Sequence, residues 1–276
     1  EAAVAKGIAT VGSSLDRLIK KEKMTEAEKT AALGRINGST QYQDLQKAQL
    51  VIEAATENFD LKVKILKQVD SLLAEDVIVA SNTSSISITK LAAATTRADR
   101  FIGMHFFNPV PLMKVVEVVP GLATAPAVCE KLKAYVLTMG HQAVLAQDTP
   151  GFIVNHAGRG YGTEALRIVS EGVADFATID RILRDQVGFK LGPFELMDLT
   201  ALDVSHPVME SIYHQYFEEP RYRPSVITAQ RLAGGWLGRK TSQGFYRYEE
   251  GKAHIPPEKP TPVSTLKPPV WVSARA

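Results

Sequence analysis

The 276-residue chain has a single cysteine, Cys129, so no internal disulfide can form, and a reducing compartment such as the cytosol is the expected setting. Cys129 sits in the helical pattern Ala-Val-Cys-Glu-Lys-Leu, which reads as a packed thiol rather than a nucleophile. Long apolar runs are also missing: none reaches the roughly 18 residues that a membrane span needs, and no secretory signal is visible. There is no block of like charge either. With a formal charge of +2 and neither a basic arm nor an acidic tail, nucleic acid is not an expected partner; small molecules or other subunits are. No metal site is expected. The G-x-G-x-x-G fingerprint is absent as well. Gly158-Arg159-Gly160-Tyr161-Gly162 comes near it, but Thr163 stands where the third glycine belongs and no strand precedes it. These glycines read instead as permitting close helix packing. Finally, the chain opens at Glu1 without methionine and runs straight into a helical pattern, so its natural start is expected to lie upstream.

What is present divides into two characters. Ile8, Val11, Leu15, Leu18 and Ile19 recur at helical spacing, with Lys20, Lys21 and Lys23 at the far end. The lysines suit the negative end of the helix dipole; the sharper reading is contact with a phosphorylated ligand. Thr25 and Glu28 spell a capping box for a second helix. Residues 50–55 and 77–80 read as buried strands separated by a helical stripe of Phe59, Val63, Leu66, Val69 and Leu73. Pro126 opens a further helix, and 142–145 is a last strand. Strands alternating with helices indicate an α/β, doubly wound sheet. Beyond residue 150 the strands stop. Helical patterns cover 152–169, 178–187, a stretch opened by Gly192-Pro193 and continuing through Leu196, Leu199 and Leu202, and 226–232. The expected division is an α/β domain over 1–149, a helical domain over 150–248, and a proline-rich tail or linker over 249–276.

One region of the α/β part concentrates polar residues where buried strand is expected. Ser81-Asn82-Thr83-Ser84-Ser85 follows a strand, and in such sheets ligands sit beyond the carboxyl ends of the strands. Thr56-Glu57-Asn58 holds the equivalent position after the strand before. Next come two β-branched and aromatic segments, 101–108 and 114–119, joined by a proline turn. If they fold back near Pro111, His105 and Glu117 lie six residues either side and face each other. That is an imidazole–carboxylate couple, which fixes a histidine's tautomer and raises its basicity. A histidine in an apolar strand is otherwise most often a satisfied core residue; the facing carboxylate and the hydroxyl-rich loop are what argue for chemistry.

Ser81-Asn-Thr-Ser-Ser, His105-Phe-Phe-Asn-Pro-Val-Pro, Val116-Glu-Val-Val, Asp148-Thr-Pro-Gly-Phe-Ile-Val-Asn155, Gly192-Pro-Phe-Glu-Leu and Gly238-Arg-Lys-Thr-Ser-Gln-Gly-Phe-Tyr together resemble the L-3-hydroxyacyl-CoA dehydrogenases, in the family's order and over about residues 1 to 248. The proline-rich tail and the Ser14-Leu-Asp-Arg-Leu helix look most like bacterial members, including those of phenylacetate catabolism. The resemblance implies a Rossmann-type domain followed by an all-helical domain for substrate and dimerisation. It implies hydride transfer between a 3-hydroxyacyl-CoA and NAD, as in fatty-acid β-oxidation. His105 then matches the base, Glu117 its orienting carboxylate, Ser84 the hydroxyl that holds the substrate alcohol, and Asn155 the amide near the thioester. Glu57, Lys62, Ser84, Asn108 and Lys240 match NAD-contacting positions, and Ser14 and Lys21 match CoA-contacting ones. A cytoplasmic homodimer is implied too. Two departures stand out. The first strand, glycine-rich turn and ribose-holding acid are not in this sequence, so weak NAD binding is expected of the fragment, and NAD cannot be told from NADP. His156 also stands where the family has arginine.

Two other readings compete: a non-catalytic relative that binds CoA esters, and a dehydrogenase of a free hydroxy acid. The first has no physical need of a base–carboxylate pair, and the second leaves Ser14 and Lys21 without a phosphorylated partner.

Overall fold

The computed structural model describes residues 1–258 together with Pro260 and Pro269. The rest of the expected tail lies outside the described residues. Two units emerge, one of residues 1–159 with 214–218, the other of 160–213 with 219 onward.

The first unit opens with two helices, α1 (Ala2–Ile19) and α2 (Glu26–Leu33). Thr25 caps α2 through the reciprocal box with Glu28 that the sequence predicts. A five-stranded sheet follows, with strands β1 (Leu50–Glu53), β2 (Ile78–Ser81), β3 (Phe101–Phe106), β4 (Val115–Pro120) and β5 (Gln142–Leu145) in that spatial order. β1, β2 and β3 are parallel, β3 and β4 antiparallel, and β4 and β5 parallel. Helix α3 (Phe59–Asp70) joins β1 to β2, α4 (Ile88–Ala92) precedes β3, and α5 (Pro126–Thr138) joins β4 to β5.

Both faces of this sheet are covered, as the continuous apolar strands require. Val79, Phe101 and Val119 pack against Leu66, Val69, Ile88 and Leu91 on one face. Ile78, Ile102, Met104, Val116 and Val118 pack against Leu132 and Val136 of α5 on the other. Because strand side chains alternate, Gly103, His105, Glu117 and Val119 share the α3–α4 face. Gly103 has to be glycine there: a Cβ would stand 2.8 Å from both Ile88 and Val119. Helix α4 can therefore seat directly on the strand that carries His105. At the opposite end of β3, buried Arg97 ties down the last turn of α3 through Asp70 and the carbonyls of Asp70, Leu73, Ala74 and Val77.

After β5 the chain is helical: α6 (Val154–Ala157), α7 (Arg159–Ser170), α8 (Phe176–Arg181), α9 (Pro193–Thr200), α10 (Leu202–Gln215) and α11 (Val226–Ala233). The second unit's core joins Leu166, Ile179, Phe194, Met197, Leu202 and Met209 to Phe245, Tyr246 and Tyr248. Two buried aspartates fasten it. Asp180 accepts from the Phe194 and Glu195 amides at the start of α9 and from the Tyr246 hydroxyl. Asp198 accepts from the Phe245 and Tyr246 amides and the Tyr248 hydroxyl. Gly244 leaves room for that fastening, since a Cβ would fall 2.1 Å from the Asp198 carboxylate.

Two expectations are corrected. The single helix predicted from 192 through Leu202 breaks at Ala201, where φ is +67°, because the Leu202 amide leaves the helical ladder to donate to the Leu237 carbonyl. And residues 249–254, expected as linker, take part in a hairpin of β6 (Arg247–Glu249) and β7 (Lys252–His254) with Tyr248 buried beneath it.

Burial pushes the Asp180 carboxyl up to about 6, although the Phe194 amide, the Tyr246 hydroxyl and the Glu195 amide pull the other way. For an acid whose folded pKa is raised, the stabilisation is complete below its ordinary value of 3.8 and is lost as pH rises through about 6. Denaturant unfolding should therefore show about 1 kcal/mol more stability at pH 5 than at pH 7.5 from this group, and Asp180→Asn should remove that increment. Equal pH slopes in the two proteins would refute the assignment.

Candidate active site

β3 and β4 pair in the register that a fold-back near Pro111 requires, with His105 opposite Glu117. The His105 Nδ1 lies 2.6 Å from Glu117 Oε2. Neither side chain has much access to water: Glu117 is 0% and His105 6% exposed. The imidazole is flanked by the rings of Phe107 and Phe152, at centroid distances of 4.6 and 5.7 Å.

The other oxygen of Glu117 has work of its own. Oε1 accepts the backbone N–H groups of Ile153 at 3.0 Å and Val154 at 2.9 Å, where α6 begins. Asn155 is the next residue. One carboxylate thus fixes both the base and the turn that carries the amide. Burial would push the Glu117 carboxyl up, but the His105 bond and the two amides outweigh it and hold it below its usual value. Held ionised, Glu117 is an acceptor at both oxygens, so the His105 Nδ1 that faces Oε2 carries a proton. The nitrogen left to accept one is Nε2.

Beyond the ends of β1 and β2, Glu57 organises the hydroxyl-rich loop. Its Oε1 accepts from Thr83 Oγ1 (2.5 Å), the Ser84 and Ser85 amides (both 2.9 Å) and Ser85 Oγ (2.9 Å). Burial raises the Glu57 carboxyl, and the loop donors and Lys62 more than reverse this, so it stays ionised. Ser84 is half-buried, its hydroxyl 3.5 Å from the same oxygen. Lys62 is enclosed, at 1% exposure, with its ammonium on both oxygens of Glu53 (2.9 and 3.0 Å) and on the Ala55 carbonyl (3.0 Å). Ser81 Oγ completes that group at 2.7 Å from Glu53. The structure thus forms two groups in the first unit, His105 with Glu117 and the turn before Asn155, and Glu57 with Ser84 and its loop, and it gives Lys62 an internal ion pair.

The remaining sequence candidates are more dispersed. Asn108 is exposed at the β3–β4 turn, followed by a cis bond to Pro109. Ser14 lies on α1 with its hydroxyl on the Thr10 carbonyl, and Lys21 is exposed just past that helix. Lys240, in the second unit, pairs with Asp203. His156, in the place expected of arginine, bonds through Nδ1 to the Tyr216 hydroxyl at 2.8 Å. Reading the sequence missed Glu53, whose signal was a lone acid in the apolar strand Leu-Val-Ile-Glu. It also missed the second set of bonds on Glu117, for which no local signal exists. Among the described residues, no helix is long and apolar enough to cross a membrane, and no group of three or more His, Cys, Asp or Glu is placed to hold a metal.

Comparison with known proteins gives a consistent picture. Residues 1–149 match the family model for the 3-hydroxyacyl-CoA dehydrogenase NAD binding domain, and residues 151–248 match the model for the C-terminal domain of the same family. A 3-hydroxybutyryl-CoA dehydrogenase of Bradyrhizobium diazoefficiens is 42% identical over 246 residues, 89% of this chain and 84% of that protein. The 3-hydroxyadipyl-CoA dehydrogenase of Escherichia coli is 40% identical over 88% of this chain, which spans 51% of its length. Among solved structures, (S)-3-hydroxybutyryl-CoA dehydrogenase PaaH1 from Ralstonia eutropha is 52% identical with a TM-score of 0.87, covering 91% of this chain and 88% of that one.

Proposed function

Because the chain belongs to the 3-hydroxyacyl-CoA dehydrogenase family, we propose that it oxidises (S)-3-hydroxyacyl-CoA to 3-oxoacyl-CoA, with NAD as hydride acceptor. The observation that carries the catalytic assignment is the His105–Glu117 pair, set so that Nε2 is the proton-accepting nitrogen. In this reading His105 Nε2 removes the proton of the substrate 3-hydroxyl as general base. Glu117 fixes the tautomer and stabilises the imidazolium that forms. Ser84 Oγ, in its locked loop, holds the same substrate oxygen. The Asn155 amide donates to the thioester carbonyl, where charge builds up.

NAD, when bound, takes the hydride from the 3-carbon. The residues present fit its nicotinamide half in chemistry. An ionised acid (Glu57), a hydroxyl (Ser84) and an amide (Asn108) stand at the ends of β1, β2 and β3, where such sheets bind ligands. Lys62 serves that half from below, 3.5 Å from the second oxygen of Glu57, and Lys240 is a further candidate contact. Ser14 and Lys21 are the candidate CoA contacts, the lysine as a cation for a phosphate. The 3-hydroxybutyryl and 3-hydroxyadipyl names of the relatives support a short or functionalised acyl chain, of the kind met in β-oxidation and phenylacetate catabolism. Exposed Leu199 of α9 and Val204 of α10 support a homodimer formed through the helical unit. A cytoplasmic location follows from the same reading.

The test is the reverse reaction. Mixing the protein with acetoacetyl-CoA and saturating NADH should bleach the reduced-nicotinamide absorbance. Binding of both ligands without NADH oxidation would overturn the reading in favour of a CoA-ester-binding relative. Oxidation with free acetoacetate but not with its CoA ester would favour the hydroxy-acid enzyme.

A further inference from the structure

Backbone pairing between β2 and β3 ends at Ser81 and Gly103, two residues short of His105. From there on β3 has a backbone partner on one side only, through the His105–Glu117 and Phe106–Val116 pairs with β4. The side that β2 has left is held by a side chain. Asn82 Oδ1 accepts the Phe106 N–H at 2.9 Å, while the Asn82 N–H donates to the Glu53 carbonyl of β1 at 2.7 Å. One residue thereby continues the sheet past its last ladder bond and ties β1 and β2 to the end of β3 beside the base. We infer that Asn82 is a positioning residue for His105, holding the carboxyl end of β3 so that the imidazole stays registered on Glu117.

The residue type follows from what the place demands. Phe106 offers a donor, so an acceptor of this reach is required, and asparagine or aspartate supplies one. Leucine has nearly the same volume and supplies none, which leaves the Phe106 N–H without its bond at a partly buried site. An aspartate would keep the bond but bring a second negative charge toward the imidazole, which favours its protonated form. A base that must be neutral to act then works only at higher pH.

The inference rests on the dehydrogenase reading, and the experiment keeps the two separable. Asn82→Leu and Asn82→Asp are compared with the unaltered protein in two measurements. The first is hydrogen exchange of the Phe106 amide, which needs no turnover: it should be protected in the unaltered protein and in Asn82→Asp, and should exchange at least tenfold faster in Asn82→Leu. The second is the pH profile of acetoacetyl-CoA reduction and of its reverse. Asn82→Leu should lose roughly tenfold to a hundredfold in kcat with KM little changed, the size expected of a misplaced catalytic group. Asn82→Asp should recover most of kcat at high pH, with the limb that reports the free base in the oxidation direction moved to higher pH. Faster Phe106 exchange with kcat unaltered would overturn the positioning role. So would equal impairment of both variants at every pH, because that pattern belongs to the Asn82 amide donor acting on a ligand. An unaltered protein that shows the exchange pattern but never turns over would sink the dehydrogenase reading alone.

Discussion

Glu117→Gln is expected to lower turnover roughly 10³- to 10⁴-fold, the scale seen when a catalytic histidine is held in its wrong tautomer, while the protein stays folded and binds acyl-CoA much as before. The two ends of the Glu117 carboxylate decide this. Oε1 faces two backbone N–H donors and Oε2 faces the His105 ring. A glutamine has only one oxygen for these two places. If that oxygen turned toward His105, its NH₂ would be driven against the Ile153 and Val154 amides, leaving two buried donors unsatisfied at about 1–3 kcal/mol each. The opposite orientation keeps both amide bonds and presents NH₂ to His105 Nδ1, so it wins. Nδ1 then has to act as acceptor, which puts the ring proton on Nε2, the atom that must receive the substrate's proton. The variant keeps its packing and loses its base. The check is kcat beside the thermal midpoint, with the ring tautomer read by nitrogen NMR. A near-normal kcat with Nδ1 still protonated would refute the assigned roles. Glu117→Ala should do more harm to the fold, because it also frees the turn before Asn155.

The His105–Glu117 couple was legible because an antiparallel hairpin fixes its register by its centre alone, and Pro111 marked that centre. The covered sheet was legible in the apolar run at 77–80, which reads as a strand buried on both sides, whereas 50–55, read the same way, supplies the edge strand β1, with Ile52 39% exposed. What escaped reading depends on partners far along the chain. The Ala201 break exists because a carbonyl at Leu237 draws off the Leu202 amide. Resemblance offered Lys62 as a cofactor contact. Its ammonium is held by Glu53, 9 positions away, which Ser81 in turn bonds from 28 positions away, and no local pattern displays this. The motif glycines fall in the same class. Gly244 entered only as part of a motif shared with the family, and its reason is the Asp198 carboxylate 2.1 Å from where a Cβ would stand. The second duty of Glu117 has no trace in sequence at all, since the Ile153 and Val154 amides it binds look like any others.

Arg97→Ala should cost about 3–5 kcal/mol, the range for removing one member of a buried ion pair, and should lower the thermal midpoint by about 10 °C. Arg97 is 7% exposed, and its guanidinium bonds Asp70 Oδ1 at 2.5 Å and reaches four carbonyls at 2.6 to 3.3 Å. Those carbonyls lie at and just beyond the end of α3, in the turn that leads into β2, so the arginine is both a helix cap and a bridge from the β3 side of the sheet. Water entering the vacated space can meet part of the carbonyls' need. It does less for Asp70, which stays beside the Thr96 amide and hydroxyl as a buried acid without its counter-charge. That loss dominates the expected cost. Burial raises the Asp70 carboxyl, and Arg97 together with the Thr96 amide and hydroxyl more than offsets this, so the folded value lies below the ordinary 3.8. The sign of the linkage follows: in the unaltered protein this stabilisation is present above pH 3.8 and is lost as pH falls through the depressed value. In Arg97→Ala that increment should shrink, since only the Thr96 donors remain to oppose burial, and acid unfolding should begin at higher pH. Arg97→Lys should fall between the two, because an ammonium can pair with Asp70 but cannot span four carbonyls. Activity per folded molecule should be unchanged, since Arg97 stands at the amino end of β3 and the base at its carboxyl end. Loss of kcat without loss of stability would contradict the whole assignment of Arg97 to the frame.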